Sequence, residues 1–159
     1  MRFSIRKIIS GGQTGADRAA LDFAIEHNIP HGGWCPERRL AEDGVIPERY
    51  QLEELKGSGY RQRTRQNVLD SDGTLIVNLS VLNGGSLLTQ RVAELHGKPC
   101  LVIQAEGKAL HRPAEQILAW LYANQIALLN VAGPRESKRP GIYSATLNLL
   151  NASLDNEIA

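Results

Sequence analysis

The sequence predicts an α/β protein with a Rossmann-like three-layer fold: a mostly parallel sheet of five or six strands with helices on both faces. Short apolar runs alternate with helical patterns along the whole chain, and no repeat has the period of a solenoid. Strands that are apolar throughout belong in a sheet covered on both sides, with right-handed crossovers. At 159 residues and 42% hydrophobic composition, the chain suits a single domain over residues 1–159.

The first predicted elements are a strand, a helix and a second strand. The apolar run 7–10 is the strand, and apolar residues at helical spacing over 16–24 predict the helix. A short strand over 29–34 follows, and then a polar excursion over 35–52 that contains glycine and proline. Because long loops commonly border binding sites, we expect this excursion to lie beside one.

The rest of the chain continues the alternation. Apolar runs predict strands, and apolar residues at helical spacing predict helices between them. The predicted elements are a helix over 64–69, a central strand over 74–79, a helix over 85–96, a strand over 100–103, a helix from Pro113, a strand over 128–132 and a closing helix over about 140–150.

Composition limits the class of partner. The formal net charge is only +1, whereas proteins that bind DNA or RNA through phosphate contacts usually carry a stronger basic excess. Cys35 and Cys100 stand far apart without a Cys/His cluster, which favours free thiols over zinc or a disulfide. No apolar run reaches the roughly 18 residues of a membrane span, and the N-terminus leads directly into the first strand, so we expect a cytoplasmic protein.

A first glycine turn, residues 11–15, joins the first strand to the first helix. Its glycines allow a tight reversal with positive φ, and the helix points its unpaired amides and positive dipole end at the turn. Such an arrangement holds phosphate. A plain strand-to-helix turn is the alternative, because only half of G-x-G-x-x-G is present. The candidate ligand-binding residues are Gly11, Gly12, Gln13, Thr14, Gly15, Asp17 and Arg18.

A second glycine turn, residues 83–86, follows the predicted central strand and leads into another helix. Ligands of parallel sheets bind beyond the carboxyl ends of the strands at the switch point, which we place between the first strand and the strand over 74–79. Two anion cradles would then face each other across one crevice, although two tight turns without a ligand are the alternative. The candidates are Gly84, Gly85, Ser86 and Thr89.

The segment after the last predicted strand reaches the same edge of the sheet. Arg135 is suited to clamp an oxyanion there, with Ser137 beside it, although Arg135 pairing with Glu136 is an equal alternative. The basic segment 60–67 places Arg61 and Arg65 on one helix face. A solvated face explains these two arginines best; the functional alternative is a basic rim shared with Arg38 and Arg39.

Residues suited to catalysis are harder to find. Glu42, Asp43 and Asp72 are available carboxylates, but nothing in their spacing brings them together, and solvated or turn positions explain them. The four histidines show no metal-ligand spacing, and the serines lack a G-x-S-x-G setting. We therefore assign no catalytic residue and no metal ligand.

Several blocks of the sequence, in order, resemble the molybdenum cofactor carrier family. The resemblance covers nearly the whole chain, so it is more specific than either glycine turn alone. The blocks are SGGQTGADRAALD at 10–22, GGWCP at 32–36, AEDG at 41–44, RT at 63–64, NV at 67–68, SDGT at 71–74 and NVAGPRES at 130–137.

The resemblance implies a fold and a ligand. The family shares a Rossmann-like group with lysine-decarboxylase-like phosphoribohydrolases and with the nucleotide-fold domain of the DNA-processing protein. That kinship implies a nucleotide-like or phosphorylated ligand and a homo-oligomer. A carrier would hold the phosphate and pterin of molybdopterin unchanged for a molybdoenzyme recipient. The cofactor's own dithiolene binds the molybdenum, so such a carrier needs no Cys/His cluster.

Two other functions are weighed against the carrier. The phosphoribohydrolases carry Pro-Gly-Gly-x-Gly-Thr-x-x-Glu, and the stretch corresponding to it here, 83–91, has Arg91 in place of the catalytic glutamate. That hydrolysis should be absent unless Glu94 or Asp17 substitutes. Single-stranded nucleic-acid binding would need stacking platforms that 5% aromatic content hardly supplies. The sequence thus favours a non-catalytic carrier or sensor of a phosphorylated pterin or nucleotide.

Overall fold

The computed structural model describes residues 5–57, 59–107 and 109–155. Strands and helices alternate as the sequence predicts. In chain order the elements are β1 (Lys7–Ile9), α1 (Ala16–Glu26), β2 (His31–Gly32), β3 (Trp34–Pro36), β4 (Leu40–Ala41), β5 (Gly44–Val45), β6 (Glu53–Leu55), α2 (Tyr60–Leu69), β7 (Gly73–Asn78), α3 (Gly84–Leu95), β8 (Cys100–Gln104), α4 (His111–Asn124), β9 (Leu128–Ala132) and α5 (Ile142–Leu154).

The central sheet has five parallel strands in the order β2-β1-β9-β7-β8. The predicted Rossmann-like α/β fold is confirmed. Ile8, Leu75 and Leu129 point to one face, where they form the main core with apolar residues of α1, α4 and α5. Helices α2 and α3 lie on the opposite face. Within the described ranges, no helix is long and apolar enough to cross a bilayer.

The order of the strands differs from the sequence expectation at the centre. Strand β9 pairs with both β1 and β7, in the register Ile9↔Asn130 and Thr74↔Asn130. The last strand therefore occupies the place where we expected the crevice between the first strand and the strand over 74–79. Local apolar patterns identify strands but do not encode which strands pair, and this insertion is a property of the tertiary structure alone.

The insertion of β9 creates a polar patch on the sheet. Asn130 is 3% exposed and Thr74 is fully buried, and the Asn130 side-chain amide donates a hydrogen bond to Thr74 Oγ1 at 3.2 Å. These side chains share the face that α2 and α3 cover. A buried polar pair of this kind is stable because each group satisfies the other, and its neighbourhood forms the floor of a cavity.

The polar excursion 35–52 is an ordered layer. Strand β3 pairs with β6, which follows the excursion, and β4 pairs with β5 inside it. The Arg39 guanidinium donates to four backbone carbonyls and holds the excursion together. A second small core packs this layer onto α1, formed by Leu21, Cys35, Ile46, Tyr50 and Leu52.

Gly15 is required where α1 meets the loop after β9. Its φ is +83°, and a Cβ there would lie 2.4 Å from the Pro134 carbonyl oxygen. We expect Gly15→Ala to lower the free energy of unfolding by about 2 kcal/mol or more, because strain and a backbone clash add. Urea denaturation measures the change.

The matched control is Gly85→Ala, since a Cβ at Gly85 meets nothing within 4 Å. Alanine is the better helix former, so we expect that variant to unfold at the same urea concentration as the wild type or a higher one. Equal stability of the two variants would contradict the assignment of Gly15 as a close-approach position.

Candidate functional site

A cavity of about 500 Å³ opens at the carboxyl edge of the sheet, beside the end of β9. Four parts of the chain line it: the first glycine turn with the start of α1, one face of α2, the start of α3, and the end of β9 with the loop after it. The lining residues are Gly11, Gln13, Asp17, Tyr60, Arg63, Thr64, Asn67, Gly85, Ser86, Leu88, Thr89, Asn130, Val131, Ala132, Gly133, Pro134, Arg135 and Lys138.

About half of the candidate residues named from the sequence line this cavity. Those that do are Gly11, Gln13, Asp17, Gly85, Ser86, Thr89 and Arg135. The candidates that lie outside its lining are Gly12, Thr14, Gly15, Arg18, Gly84 and Ser137. The excursion 35–52 touches the first glycine turn, yet none of its residues lines the cavity.

The first glycine turn uses two of its amides internally. The Gln13 N–H donates to Asp17 Oδ2 at 3.2 Å, and the Thr14 N–H donates to Gln13 Oε1 at 3.0 Å. The Ala16 N–H reaches the Pro134 carbonyl at 3.4 Å. An anion at Gln13 or Thr14 would have to displace these acceptors, whereas the amides of Gly11, Gly12 and Gly15 have no acceptor among the described residues. The Asp17 carboxylate beside Gly11 disfavours a second anion at this turn.

The candidates outside the cavity tie this turn to its surroundings. The Arg18 guanidinium donates to the Gly12 carbonyl at 3.1 Å and to both carboxylate oxygens of Asp43. The hydroxyls of Thr14 and Ser137 both donate to the Glu42 carboxylate. Glu42 and Asp43 are exposed, as the sequence predicts, and their carboxylates in addition attach the excursion to the first glycine turn.

The second glycine turn is open toward the cavity. In the described part of the chain, the amides of Gly85 and Ser86 have no acceptor, as expected of the first turn of a helix. Ser86 is only 6% exposed. Lys138 Nζ lies close to Gly84, 2.4 Å from the position that a Cβ there would take. Free amides, a helix dipole and a nearby ammonium together favour an anion at this end.

The ionisable groups of the cavity are predominantly basic. Arg63, Arg135 and Lys138 line it together with one carboxylate, Asp17. The alternative pairing of Arg135 with Glu136 does not occur, since the Glu136 carboxylate instead accepts the Gly141 and Tyr143 amides at the start of α5. The cavity therefore attracts anions although the whole chain is nearly neutral.

Sequence reasoning missed the contribution of α2. It considered Arg61 and Arg65, which are exposed and lie outside the cavity lining. The helix instead presents Tyr60, Arg63, Thr64 and Asn67 to the cavity. Their spacing of i, i+3, i+4 and i+7 marks one helix face. Every residue from 61 to 67 is polar, so periodicity does not single out this face; the available signal is that the family blocks at 63–64 and 67–68 contain three of the four.

Arg63 and Asp17 form a buried ion pair in the cavity wall. Arg63 Nη1 lies 3.4 Å from Asp17 Oδ2, and the two side chains are 13% and 6% exposed. A Cβ at Gly11 would lie 1.4 Å from Nη1, so the guanidinium fits only against glycine. Burial raises the pKa of the Asp17 carboxyl, while the Arg63 charge and the Gln13 amide oppose the increase.

A model of the circularly permutated YpsA SLOG family matches residues 8–154 of the chain. The chain belongs to that family. Among solved structures, this YpsA-family chain is similar to a protein from Syntrophus aciditrophicus SB described as a "Putative molybdenum carrier protein", with 55% identity and a TM-score of 0.94. The match covers 97% of this chain and 98% of that one. The resemblance drawn from the sequence is thus confirmed. A comparison with curated proteins finds no match.

The described part of the YpsA-family chain shows neither a cluster of metal ligands nor a reactive thiol. No three His, Cys, Asp or Glu side chains gather as metal ligands among residues 5–57, 59–107 and 109–155. Cys35 is buried and Cys100 is half-buried, and both are free. Burial raises the pKa of the Cys100 thiol to about 11, which keeps it neutral at pH 7.

The attachment of the excursion through Glu42 predicts a pH-dependent stability. Partial burial works to raise the pKa of Glu42, but hydrogen bonds from Ser137 and Thr14 outweigh it and lower the pKa below the ordinary 4.5. A lowered folded-state pKa stabilises the fold above about pH 4.5, and this stabilisation disappears as the pH falls further. Glu42→Gln should cost about 1 kcal/mol or less at pH 7, because solvent screens an exposed group.

Urea denaturation between pH 3.5 and 7.5 measures this difference, with Glu48→Gln as the control. Glu48 lies exposed in the same excursion and accepts no hydrogen bond from the described residues. We expect the Glu42→Gln deficit to shrink toward pH 3.5 and the Glu48→Gln variant to follow the wild type. A Glu42→Gln deficit that is constant with pH would contradict the role of its ionised form.

Proposed function

We propose that this YpsA-family protein is a molybdenum cofactor carrier that holds a phosphorylated pterin, or a nucleotide-like ligand of similar size, in the cavity beside β9. One observation carries the proposal: the free first-turn amides of α3 face a cavity whose charged side chains are three cations and one carboxylate. The name of the similar protein from Syntrophus aciditrophicus SB supports it. A volume of about 500 Å³ lies within the range of small-molecule sites.

The phosphate group is assigned to the second glycine turn. There the Gly85 and Ser86 amides and the Ser86 hydroxyl are available as donors, and Lys138 and Arg135 supply positive charge. The first glycine turn has the role of support, because the Asp17 carboxylate bonds its Gln13 amide and disfavours a second anion there. Hydrogen bonds and charge–charge contacts of this kind hold a ligand without changing it chemically, as a carrier requires.

The hydrolase alternative rests on Asp17. Of the two carboxylates considered as substitutes for the missing glutamate, Glu94 is exposed outside the cavity, whereas Asp17 lines it. Asp17 accepts hydrogen bonds from Arg63 and the Gln13 amide, which fixes its orientation. Release of free base from AMP by the purified protein would establish a phosphoribohydrolase and overturn the carrier.

The proposal includes three further properties, of which the homo-oligomer and the molybdoenzyme recipient come from the family resemblance and the location from the sequence itself. The protein forms a homo-oligomer, acts in the cytoplasm and passes its cofactor to a molybdoenzyme. Light scattering of the purified protein tests the first property, and co-purification from cell extract with a molybdoenzyme tests the last.

Loss of the basic groups near the second glycine turn should weaken binding of phosphorylated ligands. We expect Lys138→Ala and Arg135→Ala each to raise the dissociation constant for molybdopterin roughly tenfold, because each removes a charge-assisted contact to phosphate. Isothermal titration calorimetry measures the affinity, with AMP as a second phosphorylated ligand.

Arg91→Ala is the matched control. Arg91 lies on the same helix as the second glycine turn, carries the same charge and is exposed outside the cavity. That variant should bind as the wild type does. A similar loss in all three variants would indicate a non-specific effect of net charge, and unchanged binding in Lys138→Ala and Arg135→Ala would remove the assigned phosphate site.

A further inference from the structure

We propose that the Asp17–Arg63 pair recognises the 2-amino-4-oxo edge that pterin and guanine share, and so selects the ring of the ligand. The inference rests on the proposed function, because it concerns the other end of the same cavity. It adds a specificity site made of Asp17, at the start of α1, and Arg63, on α2.

Asp17 has one carboxylate oxygen free for a ligand. The Gln13 amide and Arg63 Nη1 both donate to Oδ2, and in the described part of the chain no donor contacts Oδ1. The residue is only 4% exposed and lines the cavity. A carboxylate oxygen that has no donor and opens to a cavity in an otherwise buried residue gains from an N–H group that the ligand itself supplies.

Arg63 is also incompletely bonded. Its contact with Asp17 is single and long, at 3.4 Å, and its Nε–H is buried without an acceptor. A guanidinium carries five N–H donors, so most of its capacity is unused. A ligand carbonyl that draws the guanidinium toward the cavity would supply an acceptor where the protein provides none.

The order of these groups matches one kind of ring edge. Because Arg63 contacts Oδ2, the wall presents a donor, then Oδ2, then the free oxygen Oδ1. Guanine and pterin present the complement in sequence: a ring carbonyl, a ring N–H and an exocyclic amino group. Adenine presents an amino donor followed by a ring acceptor, which would oppose the donor of Arg63 and the oxygens of Asp17.

The separation of the two ends suits a ligand that carries both a ring and a phosphate. Asp17 follows β1, the second glycine turn follows β7, and β9 lies between these strands. Two strand spacings are about 10 Å, which is the length scale of a mononucleotide from its base edge to its phosphate. A single molecule can therefore contact Asp17 at one end and Ser86 at the other.

Wild-type protein titrated with GMP, IMP, AMP and ribose 5-phosphate tests the proposal without a variant. IMP differs from GMP by the amino group alone, so we expect GMP to bind roughly tenfold or more tightly than IMP, and AMP more weakly than GMP. Equal affinity for GMP and IMP, with no preference for pterin over lumazine, would overturn the proposal. Ribose 5-phosphate binding as tightly as GMP would do so too, because Asp17 would then bind sugar hydroxyls.

Unphosphorylated pterin and lumazine show which class of ligand the site selects, because pterins and guanine nucleotides both carry this ring edge. Lumazine has a carbonyl in place of the amino group of pterin. A preference of roughly tenfold for pterin over lumazine supports the proposal for pterins. If that preference appears without one for GMP over IMP, the natural ligand is a pterin and not a guanine nucleotide.

The Asp17→Asn variant tests whether Asp17 is the residue that selects the ring. The amide keeps the shape of the carboxylate but replaces one acceptor by a donor, so the GMP-to-IMP ratio should fall toward one. Gly11→Ala is the second variant, because its Cβ would displace the Arg63 guanidinium and should also reduce the ratio. Unchanged ratios in both folded variants would overturn the assignment, and the wild-type ratio decides the proposal if either variant fails to fold.

The outcomes separate this inference from the proposed function. If GMP, IMP and AMP bind equally and Lys138→Ala weakens all three, the phosphate site stands and the ring selection fails. If pterin is preferred over lumazine while Lys138→Ala and Arg135→Ala change nothing, the ring selection stands and the assigned phosphate site fails. If none of these compounds binds, both proposals are wrong.

Discussion

The close packing of the β9 loop (133–137) between two other strand ends is the constraint on which the site depends. A Cβ at Gly133 would lie 2.3 Å from the Val77 carbonyl oxygen and 2.5 Å from the Ala16 Cβ, and a Cβ at Gly15 would meet the Pro134 carbonyl. Backbone therefore contacts backbone where α1, β7 and β9 meet. This approach brings the two glycine turns, the β9 loop and α2 around one cavity.

Two glycine turns of similar appearance have different roles because their surroundings differ. In the first glycine turn, the Gln13 and Thr14 amides are bonded by the Asp17 and Gln13 side chains, and a carboxylate lies beside the remaining free amides. The Gly85 and Ser86 amides at the start of α3 have no acceptor among the described residues, carboxylates included. Glycines in a strand-to-helix turn thus indicate a close approach of backbone, and whether an anion fits depends on which groups already accept from the amides.

Charge in the site is local and not a property of the whole chain. A net charge of +1 argues against phosphate-driven binding of nucleic acid, yet three cations and one carboxylate line the cavity. The carboxylate is held by Arg63, which fits only because Gly11 lacks a side chain. In the proposed carrier, one end of the cavity supplies charge for a phosphate and the other supplies hydrogen-bonding groups for a ring.

The sequence by itself determined the fold class, most strands and helices, the family and seven of the eighteen residues that line the cavity, because apolar periodicity and glycine turns are local features. It also placed Asp17, Ser86 and Arg135 near one sheet edge. Only the tertiary structure decided that β9 lies between β1 and β7, that Glu42 attaches the excursion to Thr14, and that Arg63 lines the cavity instead of Arg61. Strand order and side-chain pairing depend on contacts between residues far apart in the chain, which no local pattern records.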